Sequence, residues 1–77
     1  MHVVIAKVDE VYFDGEAESL TAPGVEGEMT ILGEHMPLVT TLKEGNLIVR
    51  VQGEPEKVFP VKAGVLEVRH DGATVIL

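Results

Sequence analysis

Apolar and polar positions alternate through much of this chain, and glycines at 15, 24, 27, 33, 45, 53, 64 and 72 break it into short segments. Residues 46–52 show the pattern most clearly. Leu47, Val49 and Val51 fall on one side, and Ile48, Arg50 and Gln52 on the other. A period of two marks a strand with one buried face. The same reading gives strands at Gly27–Leu32, Leu38–Leu42, 57–62, 65–70 and 73–77, and a weaker one at 16–22. Residues 2–8 are almost wholly apolar, which predicts a strand buried on both faces or at a sheet junction. Asp14-Gly15, Pro23-Gly24 and Asp71-Gly72 read as turns, because glycine and proline preset turn geometry. Pro60 lacks an N–H, so its strand belongs at an edge or beside a bulge. No long stretch has a helical period, and residues 33–36 allow at most one helical turn or an irregular loop. Eight or so short strands predict an all-β sandwich or barrel.

Length and charge narrow this picture. With 77 residues the chain is one domain, 1–77, and it has no cysteine for a disulfide or a thiolate site. No apolar run reaches the ~18–20 residues that span a bilayer, and no charged-then-apolar leader precedes the first strand. Thirteen acids against six bases give a net charge of −7. That argues against nucleic acid as a partner, since phosphate neutralisation needs clustered Lys and Arg. The excess is confined to residues 1–42, where eight acids face one base, Lys7. Such a region is either a solvated face that keeps a small domain soluble or an edge that meets a basic partner.

Residues that carry catalysis are scarce. The one serine, Ser19, has no nucleophile-elbow glycines around it. His2, His35 and His70 are far apart and lack metal-ligand spacing. Gly24-Val25-Glu26-Gly27-Glu28 puts acids where a phosphate would sit. The residues thus describe a binding or structural domain without catalytic centre, cofactor or metal. Residues 23–45 stand out: a Pro-Gly pair, a strand opening on Gly-Glu, a loop around His35 and Pro37, and a second apolar strand. Read alone, that segment is a hairpin whose His35 ring hydrogen-bonds its own turn.

The order of short motifs goes further. Phe13-Asp14-Gly15, Gly24-Val25-Glu26-Gly27-Glu28, Ile31-Leu32, Gly33-Glu34-His35-Met36-Pro37-Leu38, Thr40, Lys43-Glu44-Gly45 and Gly64-Val65-Leu66-Glu67-Val68 follow one another with essentially no gaps. This series resembles the N-terminal β-sandwich domain of the epsilon subunit of F-type rotary ATP synthases. One departure stands in the loop: the family often has glycine directly before the histidine, where this chain has Glu34.

The resemblance implies a flattened two-sheet β-sandwich of about eight to ten short strands. It implies a non-catalytic rotor subunit in the central stalk, with the gamma subunit and the membrane c-ring as partners. The chain would couple ion translocation to ATP synthesis and reach the membrane only peripherally, through the complex. Its expected place is the cytoplasmic face of an energy-transducing membrane, the bacterial inner membrane. Carried over residue by residue, Glu28, Met29, Thr30, Ile31, Leu32 and His35 are the expected c-ring contacts. Most family members continue into a C-terminal helical hairpin that can inhibit hydrolysis, and in some it binds ATP. The sequence stops at Leu77, so neither activity is expected of it. Two other readings fit the residues alone: a free-standing β-sandwich that binds peptide or sugar, and a minor enzyme or metal site built on His35 and nearby acids.

Overall fold

The computed structural model describes residues 1–77. It is built of nine strands: β1 (His2–Lys7), β2 (Glu10–Glu16), β3 (Ser19–Gly24), β4 (Gly27–Leu32), β5 (Leu38–Leu42), β6 (Gly45–Arg50), β7 (Lys57–Val61), β8 (Gly64–Arg69) and β9 (Gly72–Ile76). They form one hydrogen-bonded path, β2-β1-β9-β8-β5-β3-β6-β7, with β4 paired to β3 off the path. The link between β5 and β3 is a single pair, Gly24 with Leu42. The path therefore bends there into two layers, β2-β1-β9-β8-β5 and β4-β3-β6-β7.

One core fills the space between them. Val3, Ile5, Leu20, Ile31, Leu47, Val49, Leu66 and Val75 are wholly buried and come from both layers. In β6 and β8 the alternation expected from sequence holds: Leu47 and Val49, and Leu66 and Val68, point inward. Burying each such side chain is worth about 1.5–3 kcal/mol relative to exposure. No buried side-chain polar atom lacks a hydrogen-bond partner.

First and last strands lie side by side. β1 and β9 pair in parallel, with His2 opposite Gly72. A Cβ on Gly72 would collide with the His2 carbonyl, so a glycine starts β9. The end strands of the path, β2 and β7, also meet: the rings of Phe13 and Phe59 touch edge to face. Pro60 sits in β7, an edge strand, as its missing N–H requires.

Five expectations fail locally. Two are at strand ends: the strand expected at 16–22 is broken at Ala17 and Glu18 and begins again at Ser19, and the turn expected at Asp71-Gly72 falls on His70 and Asp71, with Gly72 opening β9. Asp14 and Gly15 lie inside β2, and the turn before it is made by Val8 and Asp9. A Cβ at Gly15 would make only ordinary contact with the Phe13 ring, at 3.7 Å, so nothing in the structure explains the glycine there. Pro23 and Gly24 end strand β3, and the turn falls on Val25 and Glu26. The strand at 2–8 is not buried on both faces. Val3 and Ile5 are inside, Val4 is half-buried, and Val8 is fully exposed in the turn.

Candidate functional site

The β3–β4 hairpin and the following loop form one end of the sandwich. β4 pairs with β3 along its whole length, from Gly24 with Gly27 to Ser19 with Leu32, and with no other strand. Its side chains divide by parity. Met29 is half-buried and Ile31 wholly buried, while Glu28, Thr30 and Leu32 are exposed. Of the residues expected at the c-ring, Ile31 therefore offers no surface and instead anchors the strand from beneath. Thr30 shares a hydrogen bond of 3.0 Å with Thr21 across the hairpin.

Residues 33–37 then carry the chain from β4 to β5 without helix. The His35 ring donates from Nδ1 to the Met36 carbonyl at 2.7 Å, closing its own turn as the sequence suggested. Glu34 has φ 61°, the only non-glycine residue of the chain with positive φ. That left-handed conformation is the one glycine adopts without a Cβ penalty. The glycine that the family often places there thus has a physical reason, and this chain meets the same backbone geometry with a glutamate.

The tip is acidic without internal neutralisation. Ion pairs in the chain engage Asp14, Glu16, Glu54, Glu56, Glu67 and Asp71. None engages Glu26, Glu28 or Glu34. These carboxylates share the end with exposed Val25, Leu32, Met36 and Val39. Between β4 and β5 lies an open cleft of about 380 Å³, lined by Gly24, Glu26, Glu28, Met29, Leu38 and Val39 among others. A larger opening of about 720 Å³, beside Lys7, Lys62 and Leu77, shares no residue with it. No group of three His, Cys, Asp or Glu side chains is placed to hold a metal ion, and His2, paired with Asp14 at 2.6 Å, is apart from the His35 loop.

Sequence reasoning missed Glu26 and Val39 as members of this surface. The alternation around Val39, between half-buried Leu38 and Thr40, is the available signal.

The nine strands thus form an all-β sandwich with an exposed acidic end whose Glu26, Glu28 and Glu34 pair with no cation of the chain. The sequence matches the family described as the β-sandwich domain of the ATP synthase delta/epsilon chain over residues 1–77. The chain belongs to that family. It is 42% identical over 77 residues to the ATP synthase epsilon chain of Laribacter hongkongensis, covering 99% of this chain and 55% of that relative. It is 34% identical over 76 residues to the epsilon chain of Caulobacter vibrioides, covering 99% of this chain and 87% of that one. The chain thus spans about half the length of some relatives and most of another. Its fold is that of a chain in the Euglena gracilis mitochondrial ATP synthase, with a TM-score of 0.88 at 24% identity, covering 96% of this chain and 48% of that one. A chain from the central stalk and c-ring of the Tetrahymena thermophila mitochondrial enzyme gives 0.83 at 20% identity, covering 99% and 61%. Nothing in these likenesses favours a free-standing peptide- or sugar-binding module.

Proposed function

We propose that this chain is a non-catalytic rotor subunit of an F-type ATP synthase, one that joins the gamma subunit to the membrane c-ring and helps couple ion translocation to ATP synthesis. The observation that carries this is the family match over every residue of the domain. The acidic end gives it a physical basis. Glu28, Thr30 and Leu32 project from β4, and the His35 loop lies beside them. Met29 adds a partly exposed flank, and Ile31 holds the strand in place from the core. A carboxylate facing an arginine of a partner loop forms a charge-assisted hydrogen bond, stronger than a neutral one. The chain would sit at the cytoplasmic face of the bacterial inner membrane, peripheral to it and held through the complex. Residues 1–77 act as a single domain in this role.

Co-expression with the gamma subunit of the same organism tests the reading. The chain is expected to co-purify with gamma in equal amounts through size-exclusion chromatography. Gamma eluting free of it would reject the assignment.

A further inference from the structure

The cleft between β4 and β5 is a broken ladder. The Val25 N–H donates to the Thr41 carbonyl at 3.1 Å, and the Lys43 N–H donates to the Pro23 carbonyl at 2.9 Å. These two bonds tie the end of β3 to β5. Backbone groups of alternate strand residues point the same way, so the odd-numbered residues of β5 face β3. The next residue in that series is Val39, but the chain has already turned at Val25 and Glu26 into β4. The other edge of β5 is fully paired with β8, from Leu38 with Val68 to Leu42 with Gly64. The N–H and C=O of Val39 are therefore left open toward the cleft, and the Val39 side chain is 69% exposed.

The facing wall carries Glu26 and Glu28, both exposed and neither in an ion pair within the chain. The floor is apolar, from Met29 and Leu38. Open edges of this kind are usually blunted by charge, proline or a covering element. Here Pro37, the next residue of the odd-numbered series, has no N–H and ends the open stretch beyond Val39, while Glu26 and Glu28 stand across the cleft.

We propose that the cleft between β4 and β5 receives an extended, lysine- or arginine-bearing segment of a partner protein, which adds to the open edge of β5 at Val39 and sets its cations against Glu26 and Glu28. The incoming strand takes up the ladder that β3 leaves after one pair. Main-chain hydrogen bonds supply affinity and the two carboxylates supply selectivity, as in other cases of strand addition to a sheet edge. This rests on reading the same end of the sandwich as partner-facing, and it names the form of the partner: extended chain rather than helix.

The test uses the 77-residue chain and an acetylated, amidated octapeptide alternating lysine and valine, with amide hydrogen exchange followed by NMR. Peptide is raised through about 1 mM, the range of weak single-site binding. Exchange of the Val39 amide is expected to slow about twofold once half the sites are filled. The same peptide N-methylated on its valines, and an octapeptide alternating glutamate and valine, are each expected to leave Val39 unchanged. Glu26→Gln with Glu28→Gln should weaken binding of the lysine peptide at least several-fold. The proposal is overturned if Val39 exchange does not change, if protection falls on β2 or β7 instead, or if the glutamate peptide protects equally. Because no other subunit is present, failure here leaves co-purification with gamma untouched, and loss of that co-purification leaves this result standing.

Discussion

The ring of Phe13 on β2 meets the ring of Phe59 on β7 edge to face, with centroids 6.2 Å apart and planes at 63°. These are the two ends of the hydrogen-bonded path. No backbone ladder joins them, so side-chain packing alone closes this side of the sandwich. Such aromatic pairs are worth about 0.5–1.5 kcal/mol beyond their buried area. Phe59→Ala should therefore cost about 2 kcal/mol, below the figure for a fully buried ring because Phe59 is only partly enclosed. For a domain of this size, thermal unfolding should drop by ~10 °C. A double cycle of Phe13→Leu and Phe59→Leu should show a coupling of about 1 kcal/mol. Additive losses would mean that the rings do not act as a clasp.

Parity along β4 separates stability from binding. Ile31 is wholly buried and Leu32 is 59% exposed. Ile31→Ala should destabilise the domain by about 2–5 kcal/mol, as for other core truncations. Leu32→Ala should change stability by less than about 0.5 kcal/mol and reduce affinity for the partner at this end. Urea unfolding of both variants, beside a binding titration of the second, checks the division. Equal losses of stability would place Leu32 in the core.

Glu34 holds a conformation that costs a non-glycine residue about 1–3 kcal/mol. Glu34→Gly should relieve it. Glycine's greater unfolded-state entropy takes part of the gain back, leaving a net stabilisation of about 0.5–1 kcal/mol. Unfolding midpoints in urea decide the matter. A lower midpoint for Glu34→Gly would show that the glutamate side chain contributes more than its backbone costs.

Glu28 is exposed and unpaired within the chain, so Glu28→Gln should leave folding unchanged. A charge at the rim of an interface governs encounter rate and salt dependence, and truncation costs ~1 kcal/mol if the pair stays hydrated, or ~2–5 kcal/mol if it is enclosed against arginine. Association rates with the rotor partner, measured from low to high salt, should converge for wild type and Glu28→Gln as screening increases. Curves that stay parallel at all salt concentrations would remove Glu28 from the contact.

Much of this architecture is legible from the sequence because its strands are half-buried. Leu47 and Val49, or Leu66 and Val68, announce their face by alternation alone. Part of the mismatch lies with glycine. Gly15, Gly24 and Gly72 read as turn residues, yet all three lie in strands. Gly24 is there because a Cβ would stand 2.9 Å from the Gly27 carbonyl. Close approach of backbones and turn geometry both select glycine, and a single sequence does not tell them apart. The acidic half was equally visible, and the tip was placed on β4 and the His35 loop by resemblance. The sequence reading names Glu28 to Leu32 together, and only the structure divides them, with Ile31 buried and Glu28, Thr30 and Leu32 exposed. The open edge at Val39 was hidden, because it depends on where β3 leaves β5, a long-range pairing that no local pattern encodes.

The most direct measurement is ATP-driven ion pumping by membranes stripped of their epsilon subunit and then supplied with this chain. Restored pumping is expected with wild type. Substitution of Glu28 with Gln together with His35→Ala should reduce it while hydrolysis continues. Membranes that pump equally well with and without the chain, or that ignore the double variant, would contradict a coupling role for this end of the sandwich.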